Sequence, residues 1–272
     1  MIDGLEPVLG PHVVSALGGG DICRAFRIQA AGRLYFAKTP RHPDPYLLPV
    51  EAAGLRQLDQ VVPGLTPEVV HADPAWLVLE WVEQTAADPA VAQTLGRQLA
   101  LLHAAPAGPF GAGPQHGRIG SLPMVNGAYD SWPQMYAEVR LRPLLTQDLH
   151  SCAALVDALL EEPEWAGPPE PASLLHGDLW SGNVVWRHHP RLVDPACHVG
   201  HRETDLAMLA LFGAPHLDRI LGSYQEQFPL APGWQDRVAL HQLWPLLVHE
   251  RLFGGGYGQR AEAVAADYLR AA

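Results

Sequence analysis

Several kinds of residue and segment are scarce in this chain, and each scarcity excludes a class of protein. The three cysteines, Cys23, Cys152 and Cys197, lie far apart and form no CxxC pair, which argues against a disulfide framework or a cysteine-rich zinc site and favours a reducing cytoplasm. No apolar run reaches the roughly 18 residues of a transmembrane helix, and the first ten residues lack a signal-peptide pattern. A net charge of −11 argues against a nucleic-acid partner. We therefore expect a cytoplasmic protein that binds neither membrane nor nucleic acid.

Lysine is almost absent, since Lys38 is the only lysine among the 18 basic residues. A compositional bias alone would leave such a residue on a polar surface. Lys38 instead follows Leu34, Tyr35 and Phe36, an apolar and aromatic run that is typical of a strand. Lysine offers a compact point charge where a guanidinium does not fit. We therefore predict that Lys38 has a function.

Residues 1–82 are predicted to form a strand-rich N-terminal lobe. Two apolar runs flank Gly18, Gly19 and Gly20 and indicate a hairpin, the run 33–40 gives a third strand, and two further strands are expected at 68–82. Between them, residues 46–62 have helical periodicity. The pattern predicts a small antiparallel sheet with one helix.

Residues 83–272 are predicted to form a larger, mainly helical lobe, which makes the fold class α+β. The pair Asp88 and Pro89 is a good helix N-cap and first-turn signal. Glycine and proline interrupt the segment 106–127, which we expect to be irregular. The remaining predicted helices cover 129–145, 147–161 and most of 203–270.

Glu51 falls on the apolar side of the predicted helix, in line with Leu48 and Leu55. A buried carboxylate needs a partner or a raised pKa, and Lys38, one strand earlier, is the natural partner. A position at the edge of the apolar stripe, in contact with water, is the alternative. A phosphate-binding P-loop at Gly32–Thr39 is rejected, because its interior favours a strand and three prolines follow where a helix should run.

The stretch HGDLWSGN carries the clearest chemical signal. Asp178 and Asn183 have the D-x-x-x-x-N spacing of the kinase catalytic loop, and Asp194 follows in LVDPA. The carboxylate of Asp178 could lie at the hydroxyl group that attacks the phosphate. The side-chain oxygens of Asn183 and Asp194 are the kind of ligand that Mg²⁺ binds. Lys38 would neutralise charge on the phosphates of ATP. The glycine turn would let backbone N–H groups approach those phosphates.

Three long segments resemble the fructosamine/ketosamine-3-kinase family, which shares the protein-kinase-like fold of the aminoglycoside phosphotransferases. They are LLHGDLWSGNVVW, LVDPACHVGHRETDLAMLALFG and LWPLLVHERLFGGGYG. The likeness extends to residues 18–28 and 119–143 and so covers nearly the whole chain. It implies a two-lobed fold with the nucleotide bound between the lobes.

The resemblance implies a role for each matching residue. Asp178 would be the catalytic base, Asn183 and Asp194 the metal ligands, and Lys38 the phosphate lysine, paired with Glu51. The stretch LEWVE, with Glu80 and Val82, would be the hinge that holds adenine. His176 and Asp205 would support the catalytic loop.

The substrate pocket is less defined by the resemblance. Trp180 and His249 match positions that line the sugar-amine pocket, although Trp180 would also suit core packing. Glu203 would either bind the substrate amine or cap the helix that begins near it. Val248 and Met124 depart from the family pattern, which shows asparagine and glutamine there.

The resulting hypothesis is an ATP- and Mg²⁺-dependent kinase for the 3-hydroxyl of ketosamines, small or protein-bound, which promotes deglycation. A kinase of the same fold acting on an aminoglycoside or amino alcohol is one alternative, and a non-catalytic nucleotide-binding scaffold is another. We expect a monomer, or a redox-linked dimer through Cys23 if the glycine turn is exposed.

Overall fold

The N-terminal part of the chain forms a five-stranded antiparallel sheet in the order β1-β2-β3-β5-β4. The computed structural model describes residues 4–18 and 20–271. The strands are β1 (His12–Leu17), β2 (Cys23–Ala30), β3 (Arg33–Pro40), β4 (Val69–Ala72) and β5 (Leu77–Glu80). The predicted helix is α2 (Leu47–Val61), and a short helix that the sequence pattern did not predict, α1 (Glu6–Leu9), precedes the sheet.

The two faces of this sheet are buried differently because side chains alternate along each strand. On β3, Tyr35 and Ala37 pack in a cluster on one face. Phe36 packs on the other face, against the apolar side of α2. Lys38 shares the face of Phe36, so the alternation directs the lone lysine towards α2 and the cleft.

The C-terminal part is mainly helical, as predicted. Its helices are α3 (Pro89–Ala104), α4 (Trp132–Met135), α5 (His150–Glu161), α6 (Glu203–Leu211), α7 (Leu217–Gln227), α8 (Trp234–Phe253) and α9 (Tyr257–Ala271). Short antiparallel pairs join β6 (Arg118–Ile119) to β7 (Leu122–Pro123), β8 (Ser173–Leu175) to β11 (His198–Gly200), and β9 (Val184–Val185) to β10 (Arg191–Leu192). Asp88 caps α3 by accepting hydrogen bonds from the amides of Ala90 and Val91.

The helix predicted at 129–145 is shorter and irregular. It begins at Trp132, widens to a π-helix over Tyr136–Leu141 and ends in a 3₁₀ turn over Arg142–Leu144. The widened turn carries Tyr136 and Arg140, which are both buried. Tyr136 donates to the carbonyl of Leu240, so tertiary contacts explain the departure from regular periodicity.

The lobes join through the segment 81–88, between the last residue of β5 and the first of α3. We keep the boundary between residues 82 and 83 as a proposal, since it falls in this connection. Among the residues that the structure describes, no helix has both the length and the apolar character needed to cross a membrane.

Gly96 sets the close approach of α3 and α7, and Gly96→Ala is expected to destabilise the protein. A Cβ there would lie 2.2 Å from the carbonyl oxygen of Ile220 and 2.2 Å from Oγ of Ser223. Relieving that overlap moves backbone, which costs about 3 kcal/mol. Gly222→Ala in the partner helix is the control, since nothing lies within 4 Å of its Cβ position, and it should stabilise by about 0.5–1 kcal/mol. Urea unfolding measures both, and equal effects would contradict this account.

Candidate active site

Strand β3 and helix α2 bring Lys38 and Glu51 together, as predicted. Nζ of Lys38 lies 2.7 Å from Oε2 of Glu51, and each side chain is only 9% exposed. The carboxylate of Glu51 therefore lies on the buried face of α2, where the ammonium of Lys38 compensates its charge. It does not lie at the edge of the apolar stripe in contact with water.

Lys38 also contacts Asp194, which the sequence patterns did not predict. Its Nζ lies 2.6 Å from Oδ1 of Asp194. Burial opposes the charge on Lys38, but Asp194 and Glu51 outweigh it and raise the pKa of the ammonium. Asp194 itself has φ +55°, a left-handed conformation that is uncommon outside glycine and is often found at functional sites.

The catalytic loop runs from β8 to Asn183 and is held by Asp205. Oδ2 of Asp205 accepts a hydrogen bond from the amide of His176 at 2.8 Å, and Oδ1 of Asp205 accepts one from the amide of Gly177 at 3.0 Å. His176 accepts from the amide of Asp178 through Nδ1, so its Nε2 donates to the carbonyl of Val193. The structure thus brings His176 and Asp205 together at the loop that carries Asp178, and their supporting role stays a prediction.

Gly177 is required at the start of this loop. Its φ is +81°, and an added Cβ would lie 2.1 Å from the carbonyl oxygen of Ala196. Glycine is therefore a backbone requirement at this position of the HGD sequence.

Asp178 and Asn183 are oriented towards each other. Nδ2 of Asn183 donates to the carbonyl of Asp178 at 2.8 Å and to its Oδ2 at 3.1 Å. These bonds use the amide nitrogen and leave Oδ1 of Asn183 for another partner. Burial, and then the charge of Asp194, raise the pKa of Asp178 to about 7, which is in the range suited to a general base.

A cavity of about 470 Å³ lies between the lobes and brings most of the predicted residues together. Its lining includes Gly18, Gly20, Lys38, Glu51, Asp178, Trp180, Asn183 and Asp194. Gly19, also predicted to contact the nucleotide, lies outside the described residues. Glu80 and Val82 do not line this cavity. Glu80 is the last residue of β5 and lines a separate groove together with Arg191 of the C-terminal lobe.

Trp180 and His249 each line a cavity together with Asp178. Trp180 is 39% exposed on the cavity wall, so it is not a core residue. His249 lines a smaller adjoining cavity with Asp178 and Val248, and Phe212 lies between the two rings, 6.0 Å from Trp180 and 4.8 Å from His249 by ring centroids. Together they form an aromatic wall beside the catalytic loop.

His249 is suited to accept a hydrogen bond. Its Nδ1 lies 2.7 Å from the carbonyl of Pro245 and donates to it, which leaves Nε2 as an acceptor. Burial lowers the pKa of the ring, so the imidazole is neutral near pH 7. Met124, the other departure from the family pattern, is buried in the helical core.

The structure does not bring Glu203 to the cleft. Its carboxylate receives Nε of Arg237 at 3.0 Å and Nη2 at 2.6 Å. It is buried in the first turn of α6, whose N-cap residue is Arg202. His201 and His241 lie close enough for a metal site with Glu203, but the guanidinium already occupies both carboxylate oxygens. Glu203 is thus an internal ion-pair partner and neither the amine ligand nor the helix cap.

Two residues at the cleft, Asp44 and Arg118, were not predicted from the sequence. Asp44, in a loop before α2, pairs with Arg118, which lines the cavity. The Asp-Pro signal that identified the α3 cap also occurs at Asp44, so the cap was predictable from sequence. The sequence around Arg118 contains no such signal.

Stability should fall as the pH drops from about 6.5 towards 3, because buried histidines remain neutral in the fold. Burial, and then the charge of Arg140, lower the pKa of His198 to about 3, whereas an unfolded histidine titrates near 6.5. Between these values only the unfolded chain takes up the proton, so stability is complete above about pH 6.5 and declines below it. One such group contributes about 5 kcal/mol over this whole window.

The test compares the pH dependence of urea unfolding for His198→Asn and for His188→Gln, at an exposed turn. His198→Asn should flatten the decline and His188→Gln should leave it unchanged. An unchanged slope in both would contradict the assignment.

Comparison with known proteins shows the family of the chain. The family model described as fructosamine kinase matches residues 8–271. A Lactiplantibacillus plantarum protein named "Probable ketoamine kinase" is 33% identical, with 96% of each chain covered. An Arabidopsis thaliana protein named protein-ribulosamine 3-kinase, chloroplastic, is 31% identical, with 94% of this chain and 82% of that protein covered.

Solved structures give the same fold. A Thermobifida fusca structure named for fructosamine-3-kinase has a TM-score of 0.89 at 40% identity and covers 98% of this chain and 97% of its own. The aminoglycoside phosphotransferase APH(4)-Ia, in a ternary complex with AMP-PNP and hygromycin B, has a TM-score of 0.68 at 18% identity and covers 98% of this chain and 96% of its own. At this identity the likeness shows only that the two chains share a fold. The chain belongs to the fructosamine kinase family.

Proposed function

We propose that this chain is a kinase that transfers the γ-phosphoryl group of ATP to the 3-hydroxyl of a ketosamine, a 1-deoxy-1-amino-ketose attached to an amine. The observation that carries the proposal is the grouping of Asp178, Asn183 and Asp194 opposite Lys38 in one cavity. Relatives that match nearly the full chain are named for ketoamine and ribulosamine kinases, which supports the substrate class.

ATP would occupy the cavity between the lobes. The glycine turn at 18–20 would face the phosphates with backbone N–H groups, and Lys38, held by Glu51, would neutralise their charge. Glu80 and Val82 remain our proposal for the adenine contact, because Glu80 ends β5 and Val82 lies in the connection to the helical lobe.

The donor set fits Mg²⁺. Asn183 has a free Oδ1, since its Nδ2 is bound to Asp178. Asp194 is exposed to the cavity, and Lys38 contacts only its Oδ1 in the hydrogen bond described above. Hard oxygen ligands of this kind are those that Mg²⁺ takes in kinases. The ion would supply positive charge to the phosphates when bound.

Asp178 would act on the acceptor. Its carboxylate, with a pKa of about 7, would accept the proton of the 3-hydroxyl as the oxygen–phosphorus bond forms and the bond to ADP breaks. Positioning and electrostatics account for most of the catalysis in such transfers. The amide of Asn183 holds one carboxylate oxygen, and Asp205 fixes the backbone on which Asp178 is carried.

The ketosamine would bind at the aromatic wall. Trp180 offers an exposed ring for the face of the sugar chain, and neutral His249 offers Nε2 to a hydroxyl. Phosphate at carbon 3 is a leaving group next to the ketone carbon. Its elimination and the hydrolysis that follows would free the amine, so the reaction would reverse glycation.

A panel of acceptors tests this proposal. ADP release should require a ketosamine such as ribulose-lysine or fructose-lysine. Hygromycin B and ethanolamine, which test the aminoglycoside and amino-alcohol alternatives, should give no release above background. Release with either of these and not with ketosamines would overturn the substrate assignment. Binding of ATP without release from any acceptor would favour the scaffold alternative.

We propose that the working unit is a monomer whose Cys23 can link two copies under oxidation. Cys23 opens β2 and lines the cavity, half-buried. Burial raises the pKa of its thiol, so the reactive thiolate is scarce at pH 7 and the link should form slowly. Non-reducing electrophoresis after peroxide, with Cys23→Ser as control, tests it; a dimer that persists in Cys23→Ser would refute it.

A further inference from the structure

We propose that Arg118 is a positioning residue that holds helix α2, and through it Glu51, from the opposite lobe. The inference rests on the proposed kinase function, because it concerns the ion pair that would orient the phosphates of ATP. Arg118 begins β6 in the C-terminal lobe, whereas its partner Asp44 precedes α2 in the N-terminal lobe.

The contact between the lobes is a charge-assisted one. Nε of Arg118 donates to Oδ2 of Asp44 at 2.9 Å, and Nη2 donates to Oδ1 at 3.4 Å. The two side chains are 18% and 23% exposed. Ion pairs that are partly shielded and engage two donors are stronger than freely exposed ones.

Asp44 is also the side chain that caps α2. Its Oδ1 accepts from the amides of Tyr46 at 2.8 Å and Leu47 at 3.2 Å. The ring of Tyr46 stacks on His116 with centroids 3.8 Å apart, and the guanidinium of Arg118 lies 5.5 Å from its centroid. Two residues of the C-terminal lobe, His116 and Arg118, thus contact Tyr46, the residue that precedes α2.

The cap is one helical turn from the catalytic ion pair. Glu51 lies four residues after Leu47, on the same rigid helix, and its carboxylate holds Lys38. In kinases the pair between this lysine and the helix glutamate must be in place for transfer. A shift at the N-terminus of α2 would therefore displace Glu51 and, with it, Lys38.

Arg118 also lines the cavity, but four of its five N–H groups already donate within the protein. Nη1 donates to the carbonyls of His116 at 3.3 Å and Gly117 at 3.1 Å, while Nε and Nη2 are on Asp44. The geometry therefore assigns Arg118 an indirect effect through α2. A direct contact with the phosphates through more than the one remaining N–H of Nη2 would require these bonds to break.

Kinetics and hydrogen exchange test the inference together. Arg118→Ala should lower kcat about tenfold, with KM for ATP changed less than about threefold, since misplaced groups slow the transfer itself. Amides of α2 should exchange about tenfold faster as its capped end loosens. Asp44→Asn keeps an oxygen for the cap and removes the charge, so it should show the same kinetic loss. The double variant should lose little more than either single one.

Arg142→Ala is the matched control, because Arg142 forms an exposed ion pair with Asp157 at 3.0 Å in the C-terminal lobe. It should change neither quantity. Arg118→Ala with kcat within twofold of the wild type would overturn the inference. So would a loss expressed mainly in KM for ATP with α2 exchange unchanged, which would indicate a direct phosphate contact. If Arg118→Ala does not fold, Arg118→Lys and Asp44→Asn carry the same test.

Failure of the proposed function is recognised separately. If the wild type transfers no phosphate to any acceptor, the kinase proposal fails, while α2 exchange in Arg118→Ala still reports on the contact between the lobes.

Discussion

Asp178→Asn is expected to bind ATP as the wild type does and to transfer phosphate about a thousandfold more slowly. The substitution keeps the size of the side chain but removes its negative charge and its ability to accept the proton of the hydroxyl. General base catalysis is worth about 10²–10⁴ in rate. ATP binding by calorimetry and single-turnover rates with a ketosamine measure the two parts separately.

Asp21→Asn provides the matched control, because Asp21 is another carboxylate that lines the same cavity. It removes the same charge from the cavity without touching the catalytic loop, and turnover should stay within about threefold of the wild type. An Asp178→Asn variant that keeps more than a few per cent of turnover would mean that another group accepts the proton.

Lys38→Met is expected to abolish transfer and also to destabilise the fold. It leaves the carboxylate of Glu51 buried without its cation. Removing one partner of a buried pair costs about 3–5 kcal/mol, which in a protein of this size corresponds to a fall in Tm of roughly 6–12 °C. Thermal unfolding and ADP release measure the two effects.

The double variant Lys38→Met/Glu51→Leu separates stability from chemistry. Replacing both charges with apolar side chains removes the unpaired carboxylate, so most of the lost Tm should return. Transfer should remain absent, since the phosphates still lack their cation. A double variant as unstable as Lys38→Met would show that Glu51 is not the cause. Full activity in either variant would exclude Lys38 from the reaction.

Local patterns in the sequence were sufficient to predict most of the fold. The alternation of apolar residues in the strands and their helical period in α2 determine which face of each element is buried. Both patterns can be seen in a short stretch of sequence. Lys38 and Glu51 could be paired because a charged residue on each buried face needs compensation. The π-helix over Tyr136–Leu141 could not be predicted, because it depends on contacts with α8, more than 100 residues away.

The site divides in the same way. HGDLWSGN and DPA carry their chemistry in short, ordered spacings, so Asp178, Asn183 and Asp194 could be named from the sequence. Glu203 was not assigned correctly and Arg118 was given no role, since the contacts of both depend on partners from distant segments, Arg237 and Asp44. The sequence suggested that Glu203 binds the substrate amine or caps a helix, and only the fold shows the guanidinium of Arg237 on its carboxylate.

The most direct test of the central claim is mass spectrometry of fructose-lysine or ribulose-lysine incubated with the protein, ATP and Mg²⁺. We predict a product heavier by one phosphate group, followed by the return of free lysine as that product eliminates phosphate. The same incubation with Asp178→Asn should show neither. No phosphorylated product from either ketosamine, with ATP still bound, would contradict the ketosamine-3-kinase assignment.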